Sequence, residues 1–374
     1  MTGSTALPSR EDREYLERAR ALGRKGWGHV HPNPLVGCVI VRDGNVVGEG
    51  FHGRFGGPHA EIVALEEALS AAEGATAYVS LEPCDHHGKT PPCSQALLRA
   101  GIRRVVYGAA DPGADSGGGA ETLKDGGVAV QGPVWSDAEA RAENPAFFHA
   151  VRHGMPFVTL KLAMSLDARI AAAPGERTRI TGPEADREVH RLRTGFDAVM
   201  IGAGTARSDD PRLTVRLVPK GGRPLRRVVL DPTASIPSDA ALFDEPDGDA
   251  PVHVFTRDDI DEAQIERLEA RGAHVHPVRS DADWRLDLGQ VSGVLWEIGT
   301  RSIFCEGGRR LADRLLVEDR VQRLVLFIAP VTLGARGVPA FADATSRLDW
   351  TRFDPLAPAA FGRDTALTFD RVEG

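Results

Sequence analysis

One histidine, one glutamate and two cysteines carry the sharpest chemical signal in the chain. His59-Ala60-Glu61 is followed by Pro83-Cys84 and then by Cys93. One imidazole and two thiolates suit zinc and leave a fourth tetrahedral position for water. Zinc lowers the pKa of such a water towards neutrality. Glu61 stands two residues after the histidine and is not a ligand in this reading. It is placed to carry a proton from the water to a leaving amine. Taken singly, His59 reads as a loop residue and each cysteine as a small core residue. The ordered combination overrides that reading. A closed structural zinc site is the alternative: His86 or His87 would supply the fourth ligand, and Glu61 would then have no role.

The order H-x-E…P-C…C is that of zinc hydrolytic deaminases of nucleobases. The two cysteines are usually separated by two residues. Here eight intervene, Asp85-His86-His87-Gly88-Lys89-Thr90-Pro91-Pro92. Two imidazoles and an ammonium beside the metal suit an anionic substrate such as a phosphate ester, although the same composition also fits a solvated polar loop.

The elements that must hold these groups follow from periodicity. Residues 10–25 carry a helical apolar stripe of Tyr15, Leu16, Ala19 and Leu22. Val36 to Val41 and Val46 to Gly50 read as strands around the hairpin turn Arg42-Asp43-Gly44-Asn45. A helix follows from about residue 60 to Ala72, then a strand at Ala77 to Leu81, a helix at Ser94 to Ala100, and strands at Arg104 to Tyr107 and Val128 to Val130. His59 and Glu61 therefore open a helix, and Cys93 stands just before the next, where thiolate is favoured over thiol. The order β-β-α-β-α-β implies a three-layer α/β/α domain. Ser136 to His153 reads as helix and linker. A second series of strands and helices, predominantly parallel, begins after Pro156. The expected domains are residues 1–150 and 151–374.

Composition bounds the function. The chain has 374 residues, 42% of them hydrophobic and 26% charged, which suits a globular protein of about two domains. Forty-five basic against 53 acidic residues give a net charge of −8, with no basic block, so no nucleic-acid or anionic-membrane partner is expected. The longest apolar run, Leu324 to Leu333, contains Pro330 and is far short of a membrane span. Four cysteines in a chain of this length make no disulfide framework. A cytoplasmic protein that forms a homo-oligomer and acts on a small molecule is expected.

The motifs together resemble the bifunctional riboflavin-biosynthesis deaminase/reductase family. His31-Pro32-Asn33-Pro34-Leu35-Val36-Gly37, Pro58-His59-Ala60-Glu61 and Glu82-Pro83-Cys84 through Cys93 are similar to its deaminase motifs. Lys161 to Asp167, Gly202-Ala203-Gly204-Thr205 to Pro211, Leu213 to Arg216 and Glu306-Gly307-Gly308 are similar to its reductase motifs. The resemblance implies a cytidine-deaminase-like domain followed by a dihydrofolate-reductase-like α/β domain that uses NADPH. It implies a pyrimidine carrying a ribose phosphate as substrate, contacted by Asn33, His52 and His86, with Lys89 on the phosphate. In the second domain it implies Arg193 and Arg216 as a clamp on the substrate phosphate, with Leu213 and Glu306 as further substrate contacts. Ala163, Arg179, Thr205, Asp209, Gly308, Arg309 and Arg310 are the implied cofactor contacts.

Read by themselves, the residues of the second half say less. Gly202-Ala203-Gly204 follows a strand, but the third glycine of a dinucleotide fingerprint is replaced by Arg207. Gly307-Gly308-Arg309-Arg310 at a helix start makes an anion site, and an arginine near a 2′-phosphate favours NADPH over NADH. Some positions depart from the family pattern. Ala168 stands for a glycine, Arg179 for a tryptophan, Arg177 for a small polar residue, and Gly113-Ala114 for Asn-Pro. The Ala168 and Arg179 departures are the only support for an alternative, a deaminase whose second domain is a non-catalytic binding or dimerisation module. A nucleic-acid deaminase is disfavoured by the charge and by the long cysteine loop.

Overall fold

The computed structural model of the chain describes residues 7–86, 91–244, 250–341 and 348–372. Two compact units divide it, Met1–Gly154 and Met155–Gly374.

The first unit contains α1 (Arg10–Gly23), β1 (Gly37–Arg42), β2 (Asn45–Phe51), α2 (Ala60–Ala68), β3 (Thr76–Leu81), α3 (Cys93–Arg99), β4 (Arg104–Ala109), α4 (Gly119–Asp125), β5 (Ala129–Gln131), α5 (Asp137–Glu143) and α6 (Pro145–His153). Its sheet runs β2-β1-β3-β4-β5. The β1 pairings are antiparallel, and β3, β4 and β5 are parallel. Alternation along β1 explains the layers. Cys38 and Ile40 face one way, into a cluster with Ala60, Ala64 and Leu97. Val39 and Val41 face the other, against Leu16, Ala19, Ala140 and Phe148. Helices thus cover both faces, the three-layer arrangement the sequence predicts. The region expected as helix and linker is two helices, because Asn144 leaves the helical region and Pro145 restarts it. The helix expected to reach Ala72 stops at Ala68, where Leu69 takes a left-handed φ of 50°.

Buried polar groups lock this scaffold. Ser9 caps α1 in a reciprocal capping box with Asp12. Asp12, 3% exposed, accepts from Tyr78 Oη at 3.0 Å and from Arg104 Nη1 and Nη2 at 2.8 and 3.0 Å. Burial alone would raise its carboxyl. The hydrogen bonds from Arg104 and Ser9 and the charge of Arg104 outweigh burial and hold it at about 2.

The second unit contains β6 (Phe157–Ser165), β7 (Arg169–Ala171), α7 (Pro183–Thr194), β8 (Ala198–Gly202), α8 (Ala203–Asp209), β9 (Arg226–Leu230), β10 (Val252–Arg257), α9 (Glu262–Glu269), β11 (Ala273–Val278), α10 (Leu288–Glu297) and β12 (Ser302–Cys305). It closes with α11 (Arg309–Val317), β13 (Arg323–Ala329), β14 (Val338–Pro339), β15 (Phe353–Pro355), β16 (Ala359–Phe361) and β17 (Asp364–Arg371). The main sheet runs β11-β10-β9-β8-β12-β6-β13-β17-β15. From β11 to β13 every pairing is parallel; β17 joins β13 antiparallel and is flanked antiparallel by β15 and β16. Val158, Leu160, Leu162 and Met164 of β6 face the larger core with Leu295, Leu311 and Leu315. The intervening positions, with Lys161 and Ala163, face the other side. No helix among the described residues is long and apolar enough to cross a membrane.

Candidate active sites

His59 is the residue immediately before α2, and Glu61 lies in its first turn. The helix can approach β2 closely because β2 carries glycine: a Cβ on Gly50 would lie 2.2 Å from the carbonyl oxygen of Ala60. Cys84 follows β3, and Cys93 opens α3. The segment between is anchored at its start. Asp85 accepts from Ser94 Oγ at 2.5 Å and from Thr122 Oγ1 at 2.7 Å. Glu82 accepts from the backbone N–H groups of Asp111, Gly118 and Ala120. Gly119 is required there, since a Cβ would sit 1.8 Å from the carbonyl of Pro83.

These elements bring His59, Cys84 and Cys93 together, their ligand atoms all within 4.8 Å of one another. His59 Nδ1 lies 3.2 Å from Cys93 Sγ and 3.5 Å from Cys84 Sγ. One imidazole nitrogen and two sulfurs at these separations fit zinc with one position open. His86 is exposed and is not part of the cluster, so among the described residues no fourth protein ligand closes the site. His86 therefore does not close the site; His87, the other residue considered for a fourth ligand, and Lys89 lie outside the described residues.

The electrostatics suit the chemistry. A hydrogen bond from Cys93 and, against burial, hydrogen bonding and charge from His59 hold the Cys84 thiol well below the usual thiol range. Glu61 is 3% exposed. Burial first, then the neighbouring Cys84 charge, push its carboxyl up to about 7, with His59 opposing. A carboxyl poised near neutral pH can both take and return a proton.

Asn33 and His52 adjoin this cluster. The His52 ring lies edge-on to that of His59, centroids 5.4 Å apart. His52 Nδ1 donates to the carbonyl of Pro58 at 2.9 Å, which leaves Nε2 to accept from Asn33 Nδ2 at 3.1 Å. Asn144 holds the Asn33 segment from behind, accepting from Leu35 N at 2.7 Å and donating to Leu35 O at 3.1 Å.

In the second unit, Glu306 follows β12 and accepts from Arg193 Nε of α7 at 2.6 Å. Lys161 Nζ of β6 is 3.8 Å from its other oxygen. Burial would raise Glu306, but Arg193 and Lys161 bring it below the usual carboxylate range. Arg193 Nη1 also donates to Thr214 O at 2.7 Å. Arg216 donates through Nη1 to Thr214 Oγ1 at 2.8 Å and through its backbone N–H to His190 Nδ1 at 3.0 Å. Thr205 of α8 accepts from the N–H of Gly308, the residue before α11, at 3.1 Å. Arg309 and Arg310 lie in the first turn of α11, half-buried and exposed respectively.

The structure qualifies several expectations. Leu213 is 3% exposed and packs in the core with Val199, Ile201 and Ala206, so only its backbone is available to a ligand. Arg193 is turned inward onto Glu306 and Thr214. Arg179 is exposed and pairs with Asp186 at 2.8 Å. Asp209 accepts from Ser208 Oγ at 2.7 Å. Ala163 lies two residues beyond Lys161 and shares its face of β6. Ala168 takes a φ of 55°, a conformation in which glycine carries no penalty. Sequence reasoning assigned no role to Lys161, His190 or Thr214. Lys161 and Thr214 lie within the reductase-like motifs, and His190 stands three residues before Arg193, a spacing that puts both on one face of a helix.

The two sites and their scaffolds define a zinc deaminase joined on one chain to a nucleotide-dependent reductase. Residues 9–109 match the model of the cytidine and deoxycytidylate deaminase zinc-binding region, and residues 156–367 match the RibD C-terminal domain. The chain is 39% identical over 376 residues to riboflavin biosynthesis protein RibD of Escherichia coli, covering 96% of this chain and 98% of that protein. The structure of Acinetobacter baumannii RibD superposes with a TM-score of 0.84 at 32% identity, covering 97% of this chain and 99% of that one. A deaminase/reductase structure from Thermotoga maritima gives 0.81 at 33% identity, covering 96% and 99%. The chain belongs to the RibD family of bifunctional riboflavin-biosynthesis enzymes. It combines a zinc-dependent deaminase with an NADPH-dependent reductase.

Proposed function

We propose that the chain deaminates 2,5-diamino-6-ribosylamino-4(3H)-pyrimidinone 5′-phosphate and then reduces 5-amino-6-(5-phosphoribosylamino)uracil. The relative from Thermotoga maritima is described as the deaminase and reductase for this pair of compounds. The observation that carries the reading is the clustering of His59, Cys84 and Cys93 beside buried Glu61. In this reading those three residues hold zinc, which supplies Lewis acidity to activate water. Glu61 moves the proton from the water to the departing amino group, so that ammonia leaves and a carbonyl remains. Asn33, its Nδ2 engaged by His52, offers Oδ1 to an amino group of the pyrimidine. His52 fixes that orientation, His86 meets the ring, and Lys89 takes the phosphate.

In the second unit NADPH supplies hydride to the ribose, whose ring opens to a ribityl chain. Ala163, Arg179, Thr205, Asp209, Gly308, Arg309 and Arg310 hold the cofactor. The start of α11 presents backbone N–H groups and two guanidinium groups to its phosphates. Arg216 meets the substrate phosphate, Glu306 meets the ribose with Arg193 behind it, and the Leu213 backbone closes the site. We assign the first reaction to residues 1–150 and the second to 151–374. We further place the protein in the cytoplasm as a homo-oligomer without a nucleic-acid partner. Four free, buried cysteines support the compartment, and the net charge of −8 supports the absence of a nucleic-acid partner.

The test is incubation of the zinc-loaded protein with the diaminopyrimidinone phosphate, with and without NADPH, and identification of products by mass. The reading expects amino-to-oxygen exchange without NADPH, and gain of two further hydrogens with it. Exchange without subsequent reduction would refute the second half of the assignment.

A further inference from the structure

Arg216 is exposed, yet the backbone that carries it is tightly held. Asp210 and Leu213 both take left-handed φ values, 41° and 54°, which side-chain-bearing residues rarely adopt unless their surroundings impose it. Leu213 is buried in the core, and Thr214 O accepts from Arg193 Nη1. His190 adds the next bond. It is 6% exposed on α7, and its Nδ1 accepts the backbone N–H of Arg216 at 3.0 Å. The acceptor nitrogen is unprotonated, so this imidazole is neutral with its proton on Nε2. Its environment keeps it so. Burial first, then the charges of Arg193 and Arg216, push His190 down to about 4, opposed by Glu306 and Asp186. Thr214 Oγ1 then accepts from Arg216 Nη1 at 2.8 Å and fixes the guanidinium.

We propose that His190 and Thr214 are positioning residues of the reductase site, fixing the backbone and the guanidinium of Arg216 so that it meets the substrate phosphate. This rests on the reading of Arg216 given under Proposed function. Neither residue touches the reacting atoms. Their contribution is to binding of the phosphate, so it is read in KM and not in kcat or NADPH affinity.

The experiment measures steady-state reduction by the full-length zinc-loaded protein, with the phosphoribosylaminouracil and with the same compound lacking its phosphate. His190→Leu removes the acceptor at similar volume, and His190→Asn restores an acceptor oxygen. Thr214→Val removes the hydroxyl from a half-buried position and leaves the buried imidazole untouched. Loss of one such bond to a charged or buried partner is worth about tenfold. His190→Leu and Thr214→Val are expected to raise KM for the phosphorylated compound about tenfold, with kcat and NADPH affinity within about twofold. His190→Asn is expected to recover most of the loss, and the phosphate-free compound to show no change. An unchanged KM in Thr214→Val, or an equal loss with the phosphate-free compound, would overturn the proposal. Arg216→Ala separates the two levels. If it leaves KM unchanged, the phosphate reading itself fails. If it raises KM while His190→Leu and Thr214→Val do not, only the positioning role fails.

Discussion

The two sites are built in opposite ways. In the first unit the reacting groups are side chains gathered by two helix starts and one strand end, all between residues 59 and 93. In the second unit the charged groups come from β6, α7, the 213–216 segment and the loop after β12, and they pair chiefly with one another. The difference follows from where the chemistry resides. Deamination needs a metal-activated water and a proton shuttle, so the protein must present specific donor atoms. Hydride transfer belongs to the cofactor, so the protein must orient two reactants and manage charge. A single side-chain change should therefore abolish the first reaction and only erode the second.

The largest expected effect tests that contrast. Glu61→Gln keeps the shape of the shuttle but cannot take the proton. Deamination should fall by about 10²–10⁴-fold, with zinc retained and reduction unchanged. A deamination rate within about threefold of the parent would move the shuttle to another group.

Next is cofactor choice. The double variant Arg309→Ala/Arg310→Ala removes the guanidinium groups at the start of α11. Charged hydrogen bonds are worth about 1.5–3 kcal/mol, so preference for NADPH over NADH should shrink by roughly one to two orders of magnitude. Competition binding of the two cofactors reads this directly, and an unchanged ratio would place the 2′-phosphate elsewhere.

A smaller effect concerns the scaffold of the first unit. Asp12 sits at about 2 when folded, against an ordinary 3.8. A lowered folded pKa contributes stability above the unfolded value and loses it as pH falls, here between about pH 4 and pH 2. Above that window the contribution is about 2 kcal/mol. Asp12→Asn should lower the melting temperature of the full-length protein at pH 7. The deficit relative to the parent should close as pH falls through the window; a constant deficit would contradict the linkage.

The smallest effect belongs to the second unit. Ala168→Gly relieves a left-handed alanine, worth about 1 kcal/mol. It should raise the melting temperature slightly and leave NADPH affinity intact. A lower melting temperature would show that the Ala168 methyl packing outweighs the backbone strain.

How much was legible in the sequence follows the same division. The zinc residues could be read because element boundaries lie beside them, and a short span preserves their order. Asn33 and His52 were implied only by resemblance, since their bond joins residues 19 positions apart across a loop and a strand end. Lys161 sits in a run of strand residues, and its pairing with Glu306 depends on β6 and β12 becoming neighbours. No periodicity reports that. The edge strand Ala273–Val278 carries no strand pattern, because His274, His276 and Pro277 interrupt the apolar positions, and an edge tolerates the proline. The short β15 and β16 are held by pairing with β17, not by a pattern of their own. Leu213 divides its roles in a way no motif reports: its side chain serves the core, and only its backbone is open to a ligand.

These assignments put the two reactions at separate sites on one chain, with zinc confined to the first. Cys84→Ser separates the sites in a single variant. Metal content, deamination and NADPH-dependent reduction of the deaminated substrate are measured on the same purified full-length protein. The expected outcome is loss of zinc and of deamination, with the reduction rate within about twofold of the parent. About one zinc per chain still bound in the variant, or reduction lost together with deamination, would contradict it.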